Sequence, residues 1–205
     1  MDTTTLQLLL SIAVFAAAMT GTPGPNNIML TASGANFGFT RTIPHLVGVS
    51  LGVASLIGTV AGGLGVLFET FPVLQQGLRL VACAYLLYLA WRIGTAPPPA
   101  RDSLQPGESE GRPMRFHEAL LFQYVNPKAW AMAITAVSSF TAAGEGYWVS
   151  AALIVAVFLL VGFPLTTSWA AFGVLLGQVL SSPRSWVWFN RCMGVLTASC
   201  LAFMW

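Results

Sequence analysis

Long apolar stretches separated by short polar segments make up most of this 205-residue chain. The first stretch runs from Leu6 to Thr20 and continues, after an interruption, to about Phe37. Each stretch is near or above the roughly 20 residues that a helix needs to cross a bilayer. The pattern predicts six transmembrane helices in a single all-α membrane domain, residues 1–205; the other five cover about Pro44 to Phe68, Pro72 to Ile93, Glu118 to Phe140, Tyr147 to Leu176 and Ser185 to Trp205.

The composition supports an integral membrane protein. Hydrophobic residues make up 56% of the chain and charged residues only 8%, whereas about a quarter of the residues of a soluble domain are charged. No Lys or Arg precedes Arg41, so the first stretch lacks the basic region of a cleaved signal peptide and is expected to remain in the mature protein. We expect a lipid bilayer and a small solute as partners, and no nucleic acid.

The basic residues predict how the chain is oriented in the membrane. Alternate loops hold 1 + 4 + 2 = 7 basic residues, one basic residue lies on the opposite side, and Lys128 lies within a span. Cytoplasmic loops carry an excess of Lys and Arg, so both termini are predicted to lie outside the cytoplasm. The seven are Arg41, then Arg92, Arg101, Arg112 and Arg115, then Arg184 and Arg191, and the one opposite is Arg79.

A long polar connection divides the chain near its middle. The segment "TAPPPARDSLQPGESEGRP", residues 95–113, is rich in Pro, Gly, Ser and charge, which is typical of a flexible linker. It separates residues 1–94 from residues 114–205, with three predicted spans in each half. Two similar halves with an odd number of spans must have opposite orientations in the membrane, so the sequence predicts an inverted repeat.

The first helix of each half is interrupted by a proline flanked by asparagine. The stretches are "GTPGPNNIML", with Gly24 and Pro25, and "QYVNPKAW", with Pro127; the two prolines are 127 − 25 = 102 residues apart. Proline lacks an N–H and collides with the carbonyl four residues earlier, so each stretch is predicted to break its helix. Pro164 is a third, weaker candidate break. Irregular backbone at membrane depth must face protein or a water-filled cavity.

Lys128 lies directly after the second break. Ionisable residues inside a membrane are expensive and usually mark a functional site. Lys128 could bind a substrate carboxylate, or it could lose its proton when the site is empty and so couple transport to protons. The alternatives are a lysine that reaches the membrane interface, or one that pairs with Glu118.

Polar groups around the breaks complete the predicted site. A helix that restarts after Pro25 directs free N–H groups and the positive end of its dipole at the break, which suits a carboxylate. The hydroxyls of Thr166, Thr167 and Ser168 follow Pro164 and could contact a substrate. An equally good interpretation is that they satisfy the carbonyl that Pro164 frees at Leu160. The predicted substrate-binding residues are Pro25, Asn26, Asn27, Gln123, Asn126, Lys128 and Thr167.

These two motifs resemble the signatures of a known family. "TPGPNNIMLTASGANFGFTRTIPHLVGVSLG" and "FQYVNPKAW" are similar to the two signature regions of the LysE/RhtB amino-acid exporters. The resemblance also extends to the length and the central loop. It implies export of amino acids or their derivatives across the inner membrane of a bacterium, in exchange for protons.

The residues narrow the substrate class and exclude other functions. The predicted spans lack a central Asp or Glu, so a cationic substrate would be left without a partner, and neutral amino acids are expected. The three cysteines form no Cys-x-x-Cys motif and no metal-ligand cluster is present, so we expect no enzyme, cofactor or metal. A passive channel or a non-transporting scaffold of the same fold remains an alternative. The oligomeric state, including a homo-oligomer, stays open.

Overall fold

A computed structural model describes residues 3–64, 70, 72–98 and 111–203. These residues form helices and turns and contain no strand. Short 3₁₀ or π turns lie at Val60–Leu64, Gln123–Val125, Gly144–Gly146 and Cys200–Phe203. The α-helices in the described ranges are α1 (Thr3–Gly21), α2 (Pro25–Thr59), α3 (Pro72–Gly94), α4 (Phe116–Phe122), α5 (Pro127–Phe140), α6 (Tyr147–Val179) and α7 (Pro183–Ser199).

Helix α2 reverses its direction at Gly38. This glycine has φ 74° and ψ 171°, a left-handed backbone conformation that favours glycine. Ser33 and Thr42 form a side-chain hydrogen bond of 2.9 Å across the turn. Leu30 and Leu46 pack in one buried cluster, although 16 residues of straight helix would separate them by about 24 Å. α2 is therefore a helical hairpin with a first arm (25–37) and a second arm (39–59).

The helices are apolar outside and partly polar inside. Large apolar side chains such as Val14 and Leu160 are 69% and 75% exposed, as expected where lipid covers the surface. Buried polar side chains instead line the interior, and include Asn27, Thr31 and Asn190. Both features agree with a membrane protein.

Three described helical segments are long and apolar enough to cross a membrane. They are Pro25–Leu64, Gln76–Gly94 and Gly144–Val179, and Thr5–Gly21 is a shorter apolar helix. The first of these contains the reversal at Gly38, so its 40 residues do not form one straight rod. The six-span arrangement and the inverted repeat stay predictions.

The first arm of α2 packs closely on α6 through glycines. A Cβ on Gly34 would collide with the carbonyl oxygen of Ala170, and a Cβ on Gly173 would collide with that of Thr31. The second arm approaches α4 in the same way, because Cβ atoms on Gly48 and Gly52 would meet its backbone. Small residues let helices approach closely inside a bilayer, and here they position the two helices that carry the breaks.

Two of the three predicted breaks interrupt helices. α1 ends at Gly21 and α2 begins at Pro25. α4 ends at Phe122, a 3₁₀ turn follows, and α5 begins at Pro127. Pro164 differs from the expectation, because α6 continues through it; neighbouring helices and hydroxyl side chains let membrane helices retain a proline. Within the predicted linker, residues 99–110 lie outside the described ranges.

The close contact at Gly34 can be tested by adding one methyl group. Gly34→Ala should lower the thermal stability of the purified protein, because overpacking costs about 1–3 kcal/mol. Gly58→Ala is the matched control on α2, since a Cβ there meets nothing within 4 Å. Unfolding temperatures in detergent measure both. Equal stability of the two variants would show that the arm and α6 are not packed as described.

Candidate functional site

Both helix breaks open onto one cavity. Its walls come from the end of α1, from both arms of α2, from α5 and from α6. The lining residues are Met19, Thr20, Gly24, Pro25, Asn26, Asn27, Val49, Val53, Asn126, Lys128, Ala129, Met132 and Thr166.

Side chains satisfy the backbone carbonyls that the first break releases. The Asn27 amide donates to the carbonyls of Thr20 (2.7 Å) and Thr22 (2.9 Å). The indole of Trp169, from α6, donates to the carbonyl of Gly21 (3.3 Å). These carbonyls lie at the end of α1 or directly after it, and have no partners within the helix. The broken backbone is therefore held by groups on α2 and α6.

Lys128 reaches across from the second break to the first. Its Nζ donates to the carbonyl and the hydroxyl of Thr22, each at 2.8 Å, and to the carbonyl of Pro23 at 3.3 Å. An ammonium group has three donors, so all of them are used. The negative end of the α1 dipole also favours a cation here. Gly24 leaves room for this path, because a Cβ there would lie 2.8 Å from Cδ of Lys128.

A reciprocal amide pair joins the two breaks a second time. Asn26 donates to Oε1 of Gln123 (2.8 Å), and Nε2 of Gln123 donates back to Oδ1 of Asn26 (3.1 Å). Nε2 of Gln123 also donates to the carbonyl of Ala119 (2.9 Å), and the side chain is fully buried. Asn126 caps α5 by accepting from the backbone N–H of Lys128. Thus the second break is capped by its own asparagine and tied to the first.

The first turn of α2 remains open at the cavity. Gly24 precedes the helix and makes no side-chain capping hydrogen bond. Pro25 has no N–H, and the N–H groups of Asn26 and Asn27 have no acceptor within the helix. All four residues line the cavity. This terminus combines N–H donors with a positive dipole, an arrangement that suits a carboxylate.

The structure brings most of the predicted site residues together. Gln123 lies behind the cavity wall and accepts a hydrogen bond from Asn26. Thr167 is not in the wall and donates to the carbonyl of Phe163 (2.6 Å), whereas its neighbour Thr166 lines the cavity. Neither threonine bonds to the carbonyl of Leu160. The predicted residues in the cavity wall are Pro25, Asn26, Asn27, Asn126 and Lys128, with Gly24 beside them.

Several wall residues were absent from the sequence-based prediction. Met19 and Thr20 lie within one turn of the first break, and Met132 lies four residues after Lys128 on the same face of α5. This helical spacing was a usable signal. Val49 and Val53 come from the second arm of α2, and only the reversal at Gly38 brings them to the cavity.

Basic groups gather at one end of the molecule, away from this cavity. Arg112 forms a bidentate ion pair with Glu118, with N–O distances of 2.6 and 2.7 Å. This hydrogen-bonded pair raises the pKa of the Arg112 guanidinium. Arg92 donates to the carbonyl of Arg112 (2.9 Å), and Arg41 donates to the carbonyl of Gly111 (3.0 Å). Glu118 is thus the partner of Arg112 and not of Lys128.

A double-mutant cycle tests the amide pair. Asn26→Ala and Gln123→Ala should each lower the free energy of unfolding by about 1–3 kcal/mol, because the first leaves the buried amide of Gln123 and the second the half-buried amide of Asn26 without its partner. The double variant should lose less than the sum, with a coupling energy of about 1 kcal/mol. Denaturant titration in micelles measures all three. Asn26→Ala combined with Ser138→Ala, whose side chain is exposed, is the control pair and should be additive; additivity in the test pair would contradict the contact.

The chain matches known proteins over most of its length. A family model described as LysE type translocator matches residues 17–203. Cysteine/O-acetylserine efflux proteins of Salmonella typhi and Salmonella typhimurium (strain LT2) are each 36% identical to it over 119 residues, and that of Escherichia coli (strain K12) is 34% identical over 119 residues.

Each of these matches covers 58% of this chain and 58% of the relative, so the chain spans little more than half the length of the curated relatives it matches. No solved structure matches the chain. The family model confirms the resemblance expected from the two sequence motifs. The chain belongs to the LysE type translocator family.

Proposed function

We propose that this chain is a secondary transporter that exports a small neutral amino acid, or a close derivative, from the cytoplasm in exchange for protons. One observation carries the proposal. The ammonium of Lys128, at the second break, is held by backbone oxygens of the first break, inside a cavity that both breaks line. Paired broken helices of this kind are typical of transporter substrate sites.

The first break offers complementary ends to a zwitterion. The carbonyls of Thr22 and Pro23 and the hydroxyl of Thr22, directly after α1, form a carbonyl cage that accepts hydrogen bonds from an ammonium group. The ammonium of Lys128 occupies this cage in the structure. The open first turn of α2 offers N–H donors a few residues away. An amino acid placed across the break would direct its ammonium group at the carbonyls and its carboxylate at the N–H groups. Both helix dipoles favour that orientation.

Competition for the carbonyl cage would couple transport to protons. When the ammonium group of the substrate takes the oxygens of Thr22 and Pro23, the ammonium of Lys128 loses its three acceptors. Burial disfavours a charged lysine without partners, so Lys128 releases a proton to the cytoplasm. After the substrate leaves on the outer side, Lys128 takes a proton from that side and returns to the cage. Each cycle exports one substrate and imports one proton.

The cavity wall favours a small neutral substrate. Its described lining contains no Asp or Glu, so a cationic side chain would be buried without a counter-charge. Met19 and Met132 supply polarisable apolar surface. Because the matched relatives are named as cysteine/O-acetylserine efflux proteins, we propose a substrate of that class. The site would comprise Asn26, Asn27, Asn126 and Lys128, with Thr166 in place of Thr167.

The same proposal includes the membrane arrangement. Six spans in two inverted halves would place the breaks near the middle of the bilayer, where rocking of the halves opens the cavity to either side. The end that carries Arg41, Arg92 and Arg112 would face the cytoplasm. Both termini would then lie outside, in the inner membrane of a bacterium.

Removing the charge of Lys128 tests the coupling. In proteoliposomes, Lys128→Met should abolish accumulation of labelled cysteine or O-acetylserine driven by a pH gradient. It should preserve exchange of labelled for unlabelled substrate, because the carbonyl cage is then always available to the substrate ammonium.

Wild-type protein and Arg79→Gln, on α3 outside the cavity wall, are the controls. Gradient-driven transport by Lys128→Met would overturn the coupling role. A passive channel would instead give downhill flux without exchange stimulation in every variant. A scaffold would give no flux at all.

Reporter fusions test the proposed orientation. Alkaline phosphatase fused after Trp205 should be active and a fluorescent protein at that position should be dark, because both reporters depend on the side of the membrane. A fusion after Pro98, in the predicted cytoplasmic loop, is the matched control and should give the reverse pattern. The same pattern at both positions would contradict an odd number of spans between them.

A further inference from the structure

A second cavity lies at the basic end of the molecule. It is lined by both arms of α2, by the end of α3 and by the segment that precedes α4. Its polar lining residues are Ser33, Asn36, His45, Arg92 and Arg112. Nothing in the proposed transport cycle uses this cavity.

His45 is the unusual residue in its wall. The side chain is 1% exposed, and within the described part of the chain neither ring nitrogen has a hydrogen-bond partner. A buried polar atom left unsatisfied costs about 1–3 kcal/mol, and such atoms are rare in native proteins unless water, an ion or a ligand completes them. The other polar side chains of the wall already form hydrogen bonds: Ser33 with Thr42, and Asn36 with Asn190.

Among the described residues, Arg92 is the arginine of this cavity wall that forms no ion pair. Arg112 is neutralised by its bidentate pair with Glu118. Arg92 donates one hydrogen bond to the carbonyl of Arg112, and no carboxylate among the described residues pairs with it. A guanidinium has five N–H donors and suits bidentate binding of a carboxylate. Arg92 therefore offers an anion site in the same cavity as the unsatisfied ring of His45.

We infer that this cavity is a second binding site for the exported amino acid, with its carboxylate on Arg92 and a polar group of the ligand on the ring of His45. The inference rests on the proposed function, which supplies the ligand class and the cytoplasmic location. The substrate binds here from the cytoplasm before it reaches the cavity between the breaks.

The two cavities lie along the same pair of helical segments. On the first arm of α2, Met29 lines the second cavity and Pro25, one turn away, lines the cavity at the breaks. On the second arm, His45 lines the second cavity and Val49, one turn away, lines the cavity at the breaks. Met29 and Val49 are both buried in one apolar cluster. A short apolar barrier therefore separates the two polar sites, and a ligand would pass it within about one helical turn.

The chain has only two histidines, His45 and His117, which makes direct detection practical. Full-length protein labelled with ¹⁵N-histidine is reconstituted in nanodiscs, and His117→Asn assigns the ring signals. L-cysteine in reducing buffer should shift the His45 signals in a saturable manner. Cysteamine, which lacks the carboxylate, and inorganic phosphate should not.

Arg92→Gln should weaken the binding of cysteine by about tenfold or more, the effect expected for losing a charge-assisted contact. In proteoliposomes it should raise the half-saturating cysteine concentration and leave the maximal rate unchanged. Arg92→Lys should partly restore the affinity for cysteine and the half-saturating concentration. Lys128→Met should leave the His45 shift intact, because it alters only the other cavity.

Each result separates this inference from the proposed function. If the protein exports cysteine while the His45 signals stay fixed, the second site does not exist and the transport proposal stands. An equal response to phosphate or cysteamine, or no effect of Arg92→Gln, also overturns the inference. A saturable His45 shift in a protein that exports no amino acid would support the site and refute the proposed transport.

Discussion

The contact between the ammonium of Lys128 and the oxygens of Thr22 and Pro23 holds the two breaks together. A lone lysine inside a membrane protein is costly, and so are carbonyls without donors. Here the ammonium of Lys128 supplies donors to these carbonyls, and the carbonyls supply acceptors to the ammonium, so neither group is left unsatisfied. Thr22 and Lys128 are 106 residues apart, so the contact also fixes how the two halves of the chain pack. Gly24 has to be small because the lysine passes directly over it.

The other polar contacts follow from the same requirement. Every carbonyl released at the end of α1 needs a donor, and Asn27, Trp169 and Lys128 provide donors from α2, α6 and α5. The second break needs fewer external donors, because Asn126 caps α5 and Trp130 donates to the carbonyl of Tyr124. The first break is thus the one that exposes a helix terminus to the cavity. The proposed zwitterion site is placed there for that reason.

Local chemistry could be predicted from the sequence, and long-range geometry could not. The breaks at Pro25 and Pro127 follow from the absence of an N–H in proline, which depends on no other part of the chain. The partner of Lys128 depends on packing, so spacing alone could not identify the oxygens of Thr22 and Pro23 as its acceptors. Thr166 and Thr167 differ by about 100° around α6, and the sequence does not indicate which one faces inward. The reversal at Gly38 lies in the loop predicted between the first two spans, but the glycine spacing did not indicate which residue makes the turn.

A shared carbonyl cage has an energetic consequence for coupling. The cage makes the same kind of hydrogen bond to the ammonium of Lys128 and to that of an amino acid, so exchanging one for the other changes little by itself. A ligand shifts an equilibrium only by its difference in affinity between states. In the proposed cycle that difference must come from the carboxylate, which gains the open N–H groups of α2 that Lys128 cannot use. A ligand with an ammonium group and no carboxylate would enter the cage without a net gain, so the first turn of α2, more than the lysine, sets which molecules drive the cycle.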